Sequence, residues 1–141
     1  MKRSERLVQE GLGDPWRVLV ACILLNKTGG ERVRPVLPTL FAAYPDAGSM
    51  ATAEPGDVAA IIRGLGFGDA RSRKLIRFSG EYAAGSWTEP SELHGVGQYG
   101  QDAWDILVRE RLDVEPDDHA LADYVKRTQK KFKKISEVAD G

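Results

Sequence analysis

Two short segments of this chain carry residue types and spacings that can do chemistry. Residues 93–100 (LHGVGQYG) place glycines at positions 95 and 97, just before a predicted helix. Such glycines let the backbone turn tightly and bring bare N–H groups against a phosphate at the N-terminus of the next helix. Residues 116–119 (PDDH) follow after one further predicted helix and supply carboxylates. The two segments together predict a hairpin that grips a phosphate beside a reactive carboxylate.

The carboxylate of Asp118 is suited to breaking a glycosidic bond. When the bond between a pyrimidine and its deoxyribose breaks, positive charge develops on the sugar. A fixed carboxylate can stabilise that charge while it orients or deprotonates the attacking water. Asp118 can equally be a helix N-cap, a position where aspartate is common. Its place after the hairpin and before His119 favours the catalytic interpretation, with Asp117 as the alternative base.

Helical periodicity predicts the elements that position these segments. Asp14 is predicted to cap a helix that begins at Pro15, and the apolar run through Leu25 indicates a central buried helix. Pro35 and Pro38 predict an irregular first half for the second helix. The helices predicted after the first cover approximately residues 31–44, 48–53, 55–63, 69–84 (capped by Asp69), 101–111 and 118–132.

No alternating strand, internal repeat or linker is found in the sequence. We therefore predict an all-α fold of many short helices, forming a single compact domain over residues 1–141 with its hairpin near residues 91–104. The composition, 42% hydrophobic and 29% charged, is that of a chain that can bury a core.

The charge and cysteine content exclude several classes of site. A net charge of -1 gives no diffuse attraction to a polyanion, so any affinity for DNA must come from local groups of lysine and arginine. Cys22 is the only cysteine, which excludes an internal disulfide, a four-cysteine iron–sulfur cluster and a cysteine zinc ribbon. Its apolar neighbours predict a buried core thiol. The candidate basic clusters, which are either solvated faces or contacts to a DNA backbone, are Arg71, Arg73, Lys74 and Arg77, and Lys126, Arg127, Lys130, Lys131, Lys133 and Lys134.

The sequence contains no apolar run of the ~20 residues that a membrane-spanning helix needs. The basic residues near Met1 are not followed by the apolar core of a signal peptide. We therefore expect a cytoplasmic, nucleoid-associated protein in a prokaryote or virus, and a nuclear one in a eukaryote.

An ordered set of segments resembles one known family along nearly the whole chain. These segments are residues 7–10 (LVQE), 14–16 (DPW), 25–28 (LNKT), 65–66 (LG), 93–100 (LHGVGQYG) and 116–119 (PDDH). They resemble the glycosylase domain of the methyl-CpG-binding-domain mismatch glycosylases, which belong to the helix-hairpin-helix DNA glycosylase superfamily. The resemblance implies a monomeric enzyme without metal or cofactor, acting on double-stranded DNA in base excision repair and followed by downstream repair enzymes. It further implies removal of thymine or uracil opposite guanine by hydrolysis of the N-glycosidic bond.

The resemblance also assigns roles to individual residues. It selects Asp118, which directly precedes the histidine, as the catalytic carboxylate. It places Val8, Gln9 and Tyr99 in the base pocket, and Lys27, Leu65 and Phe67 where side chains enter the DNA stack. It gives the phosphate contact of the hairpin to Gly95, Val96, Gly97 and Tyr99.

Three of these residues depart from the pattern of the superfamily or of the family. Tyr99 stands where bifunctional relatives carry a lysine, and because a phenol forms no Schiff base, no AP-lyase activity is expected. Lys27 replaces an arginine and therefore loses planar stacking and bidentate donation. Phe67 replaces a leucine. The residues themselves leave other interpretations open: a solvated Gln9, a Tyr99 that packs the hairpin, a core Phe67 and a surface Lys27.

Two other functions are compatible with parts of the sequence. A non-catalytic helix-hairpin-helix DNA-binding module would explain the glycines and the basic residues but not the Asp118–His119 pair. The same fold could also act on another damaged or modified base. A zinc deaminase is excluded, because the chain has only two histidines and lacks both a His-x-Glu and a Cys-x-x-Cys motif.

Overall fold

The computed structural model describes residues 7–140, and within them every regular element is helical. The prediction of an all-α fold is therefore confirmed. The α-helices are α1 (Pro15–Leu25), α2 (Gly30–Val33), α3 (Leu37–Ala43), α4 (Ala47–Ala51), α5 (Pro55–Ile62), α6 (Gly68–Ala84), α7 (Gln98–Ala103) and α8 (His119–Asp140). Short 3-10 helices lie at Arg63–Leu65 and Pro90–Glu92, and a π-helix (Trp104–Val108) continues α7. No described helix has the length and apolar character to cross a membrane.

Helix α1 lies at the centre of the fold, as its apolar run predicts. Asp14 caps it by accepting a hydrogen bond from the backbone N–H of Trp16 at 2.8 Å. One side of α1 packs into the main apolar cluster with α3, α5 and α6, while Val18 and Cys22 face a second cluster formed with α7 and α8. A helix between two apolar clusters must be apolar on nearly every side.

Several predicted boundaries move in the structure. The second predicted helix is divided into α2 and α3, which agrees with the irregular first half predicted from its prolines. The predicted cap at Asp69 is wrong, because α6 already begins at Gly68 and Asp69 lies in its first turn. There the carboxylate complements the positive end of the helix dipole. The helix predicted from residue 101 begins at Gln98, and the last helix continues to Asp140 instead of ending near residue 132.

The predicted hairpin is present and is stabilised from both sides. The backbone N–H of His94 donates to Glu81 Oε1 on α6 at 2.7 Å. On the other side, Arg109 forms ion pairs with Glu89 at 2.7 Å and with Asp105 at 2.6 Å. These contacts hold the turn between the 3-10 helix at Pro90–Glu92 and α7 in a fixed position relative to α6 and the π-helix.

Candidate functional site

A cavity of about 770 Å³ opens where the N-terminal segment, the C-terminal end of α1 and the first turns of α7 and α8 meet. Five of the predicted site residues line it, although they come from distant parts of the chain: Val8, Gln9, Lys27, Tyr99 and Asp118. The structure therefore brings the predicted base pocket and the predicted catalytic carboxylate into one cavity. Leu7 and Leu25 contribute apolar wall.

Asp118 is both the N-cap of α8 and a wall of this cavity. Its Oδ2 accepts a hydrogen bond from the backbone N–H of Leu121 at 2.9 Å. Within the described part of the chain, no hydrogen bond to Oδ1 is found. The cap therefore orients the carboxylate and leaves one oxygen for a water molecule or substrate, so the two interpretations of Asp118 are compatible. Asp117 is exposed and does not line the cavity.

Gln9 is the centre of a buried polar group in the cavity wall. It is only 3% exposed, so the interpretation of Gln9 as a solvated side chain is wrong. Its Nε2 donates to Tyr99 Oη at 2.7 Å and to Cys22 Sγ at 3.3 Å, which occupies both N–H bonds of the amide. Its Oε1 is buried and has no hydrogen-bond partner among the described residues. Gln9 therefore holds one buried, unpaired acceptor within the cavity wall.

The thiol and phenol beside Gln9 are both protonated at neutral pH. Burial raises the pKa of Cys22 to about 12; the hydrogen bond from Gln9 opposes this rise, and the charge of Asp118 adds to it. The pKa of Tyr99 is also raised, and burial is the main cause. Neither group is a ready base or nucleophile. Cys22 is buried, as predicted, but no sequence pattern indicated that it would line the cavity beside Gln9.

The cavity contains one other carboxylate, which the sequence analysis missed. Glu31 lies on α2, lines the cavity and is exposed. Because α2 is only four residues long, periodicity does not single this side chain out. No group of three or more metal-ligating side chains is found among the described residues.

The residues predicted to enter a DNA stack lie in two loops with unusual backbone conformations. Lys27 (φ +69) and Phe67 (φ +54) both adopt the left-handed conformation, which costs on the order of 1–3 kcal/mol for a residue other than glycine. Both are exposed, and Phe67 is 69% exposed. The interpretation of Phe67 as a core aromatic is therefore wrong. The prediction that Leu65 enters the DNA stack has to be corrected. Leu65 is 5% exposed and packs in the main apolar cluster, so its side chain is not presented for insertion.

The hairpin presents the N-terminus of α7 without a side-chain cap. Gly97 is the N-cap residue, and the first amides of α7, including that of Tyr99, have no acceptor within the helix. Gly95 makes the turn with φ +84, a conformation that favours glycine. The predicted phosphate contact of Val96 has to be corrected, because its side chain is buried and its N–H donates to Leu93 O at 3.1 Å within the turn.

The first basic cluster is not a continuous solvated face. Arg71 is 6% exposed and its guanidinium donates to the backbone carbonyls of Asn26 and Leu65, so it is not available to a DNA backbone. Arg77 pairs with Glu81 at 3.1 Å, and Arg73 is exposed. The lysines of α8 are all exposed.

Comparison with known proteins shows the family to which this chain is similar. The profile of the HhH-GPD superfamily base excision DNA repair proteins matches residues 20–139. A methyl-CpG-binding domain protein 4-like protein of Arabidopsis thaliana is 42% identical over 112 residues, which cover 79% of this chain and 25% of the relative. A thymine-DNA glycosylase of Aeropyrum pernix is 35% identical over 94 residues, which cover 61% of this chain and 42% of the relative. The chain thus spans less than half the length of either relative.

Two experimental structures have a similar fold. A thermostable thymine-DNA glycosylase superposes with a TM-score of 0.70 at 20% identity, over 79% of this chain and 55% of that protein. An endonuclease III trapped in a covalent intermediate with DNA superposes with a TM-score of 0.63 at 16% identity, over 78% of this chain and 62% of that protein.

Proposed function

Because the chain belongs to the HhH-GPD superfamily of base excision DNA repair proteins, we propose that it is a mismatch-specific DNA glycosylase that excises uracil or thymine opposite guanine. The observation that carries the proposal is the meeting of Gln9, Tyr99 and Asp118 in one cavity. The buried amide of Gln9 and the carboxylate of Asp118 therefore line the same open cavity. The name of the archaeal relative, a thymine-DNA glycosylase, is consistent with this substrate class.

The state of Gln9 supports a pyrimidine with a ring N–H. Both N–H bonds of its amide are occupied, so Oε1 is the group of this side chain that remains to bind a base. Uracil and thymine present a donor at N3, whereas cytosine presents a lone pair at the same ring position. A buried acceptor that stays unpaired costs about 1–3 kcal/mol, so the cavity favours the bases that can satisfy it.

Asp118 carries the chemistry in this proposal. The bond between C1′ and the base nitrogen breaks, and its electron pair leaves with the base while positive charge develops on the sugar. The carboxylate stabilises that charge and accepts a proton from a water molecule, whose oxygen bonds to C1′. The departing base takes up a proton, and an abasic sugar remains in the strand. The step needs no metal ion or cofactor.

Tyr99 makes the proposed enzyme monofunctional. A lyase of this superfamily type needs an amine that forms a Schiff base with C1′, and a phenol cannot do so. The phenol is also held by Gln9 at 2.7 Å and stays protonated, because burial raises the pKa of Tyr99. We therefore expect an intact strand after base release.

The exposed residues of the two loops support base flipping. Removing a base from the stack leaves a gap that a side chain fills. Phe67 and Lys27 are exposed and backbone-strained, which suits them to this role, whereas Leu65 supports the loop from the core. The uncapped amides of α7 after Gly97 are the proposed contact to a phosphate near the flipped nucleotide.

We expect Gly97→Ala to weaken DNA binding without unfolding the protein. A Cβ at Gly97 would meet nothing within 4 Å, so the protein itself has room for a methyl group. A phosphate held close to the backbone would lose that approach, and losing one charge-assisted hydrogen bond lowers affinity about tenfold or more. Fluorescence anisotropy with a duplex that contains an abasic-site analogue measures the affinity, and thermal unfolding checks the fold.

Gly56→Ala is the matched control for this variant. Gly56 is exposed in the first turn of α5, and a Cβ there would also meet nothing within 4 Å. It should leave the affinity for the duplex unchanged. If Gly97→Ala binds as tightly as Gly56→Ala, the hairpin does not hold a phosphate at Gly97.

Single-turnover excision tests the proposed function directly. Matched duplexes carry G·U, G·T, A·U or G·C, and each reaction is analysed with and without hot alkali. We expect base release from G·U and G·T, and strand breaks only after alkali. Breaks without alkali would contradict the monofunctional assignment. Binding without base release from any duplex would overturn the proposal and favour a non-catalytic DNA-binding module.

A further inference from the structure

Arg71 lies buried between the two loops that carry the proposed inserted residues. It belongs to the first turns of α6 and is 6% exposed. Its Nη2 donates to the backbone carbonyl of Asn26, and its Nη1 donates to that of Leu65 at 3.4 Å. One guanidinium therefore contacts the segment after α1 and the segment before α6.

The two acceptors are directly beside the strained positions. Asn26 immediately precedes Lys27 (φ +69), and Leu65 is followed by Gly66 (φ +82) and Phe67 (φ +54). The guanidinium carbon of Arg71 also lies 5.7 Å from the centroid of the Phe67 ring, within the range of a cation–π interaction. Arg71 thus contacts both loops and one of the exposed side chains.

The placement of this arginine is energetically demanding. A buried cation is unfavourable unless hydrogen bonds compensate for lost hydration. Among the described residues, Arg71 has no carboxylate partner, and backbone carbonyls serve as its acceptors. Burial, and to a smaller extent the charge of Arg32, lowers the pKa of Arg71. Two different nitrogen atoms of the guanidinium, held in a rigid fork, donate to the two carbonyls. An ammonium has a single nitrogen atom, which would have to lie within hydrogen-bond distance of both carbonyls.

We propose that Arg71 is a positioning residue that couples the Lys27 loop (residues 26–28) to the Phe67 loop (residues 64–67), so that both side chains enter the duplex as one unit. This inference rests on the proposed function. Ordering a free loop on binding costs roughly 1–2 kcal/mol for each residue that becomes fixed. Loops that are already joined avoid part of that cost when the base flips.

The test compares wild type with Arg71→Lys on two uracil duplexes. In the first, uracil lies opposite guanine and must be flipped. In the second, it lies opposite an abasic-site analogue, where no partner base has to be separated or replaced. We expect Arg71→Lys to lose about tenfold or more of the single-turnover rate on the first duplex, the effect of one lost charge-assisted hydrogen bond. On the second duplex, the single-turnover rate of Arg71→Lys should fall much less.

Arg32→Ala is the matched control. Arg32 is exposed and donates to the carbonyl of Gly64, so its hydrogen bond among the described residues is to the Phe67 loop and not to the Lys27 loop. It should stay within about twofold of wild type, because water can replace its exposed hydrogen bond whereas the carbonyls beside buried Arg71 would lose their donor. All rates are measured at a temperature at which circular dichroism shows each variant fully folded.

The outcomes separate the two claims. If wild type releases uracil but the rate of Arg71→Lys falls by the same factor on both duplexes, Arg71 has only a general structural role and the proposed coupling of the two loops is wrong. If Arg32→Ala loses as much as Arg71→Lys on the G·U duplex, support of one loop suffices and the coupling is again wrong. Wild-type protein that releases no base from either duplex would overturn the proposed function, and the coupling with it.

Discussion

Asp118→Asn lowers the single-turnover rate of uracil release from a G·U duplex by on the order of 10²–10⁴-fold, the contribution of a positioned acid or base. The amide cannot accept the proton of the attacking water or stabilise positive charge on the sugar. Asparagine is also a good N-cap, so the hydrogen bond from Leu121 to this side chain is retained. The loss of rate should therefore occur without a change in the thermal unfolding temperature.

Two further variants test whether Asp118 is the right carboxylate. Asp117→Asn changes the adjacent exposed residue outside the cavity, and Glu31→Gln changes the other carboxylate of the cavity wall. Both should retain most of the wild-type rate. If Glu31→Gln or Asp117→Asn loses more than Asp118→Asn, the catalytic role belongs to that residue instead.

Asp118→Ala separates the cap from the chemistry. It removes the carboxylate and the N-cap together, so it should be destabilised by about 1 kcal/mol relative to Asp118→Asn. Its rate of base release should match that of Asp118→Asn. Chemical denaturation measures the first difference, and the single-turnover assay measures the second.

Gln9→Leu lowers the rate of uracil release by about 10–100-fold. The substitution removes the unpaired acceptor of this side chain, so the N3–H of a bound uracil becomes a buried donor without a partner. Such a group costs about 1–3 kcal/mol, which corresponds to this range of rates. Because leucine resembles glutamine in size, the side chain should still fill the space beside Tyr99 and Cys22.

The substrate offers a matched control for this prediction. A duplex with N3-methyluracil lacks the donor, so the rate of base release by wild type should fall by a similar factor. The rate of Gln9→Leu should fall little further when uracil is replaced by N3-methyluracil. Tyr99→Phe removes one partner of the Gln9 amide but keeps the acceptor, so its effect should be smaller. If the methylated base lowers the rate of Gln9→Leu by the same factor as it lowers the rate of wild type, the two changes act independently and Gln9 does not face N3.

Local features of the sequence were sufficient for the helical fold, whereas the choice of Asp118 over Asp117 came from the resemblance to a known family. The cap at Asp14 and the apolar run of α1 act within one or two turns of a helix, so they can be recognised without the rest of the fold. The hairpin glycines and Asp118 are likewise parts of short motifs. Residue-by-residue resemblance added Gln9 and Tyr99, which no local pattern would have joined.

Only the tertiary structure decided which of these side chains are buried and which are presented. Leu65 and Phe67 are two residues apart, yet one packs in the core and the other is exposed, because the backbone turns through left-handed conformations between them. Arg71 belongs to a basic run that is typical of a solvated face, but it turns inward and donates to the carbonyls of nearby Leu65 and of Asn26, which is distant along the chain. Periodicity and charge describe neighbours along the chain. Burial and hydrogen-bond partners depend on segments that come together only in the folded protein, so the sequence determined the elements and packing determined the site.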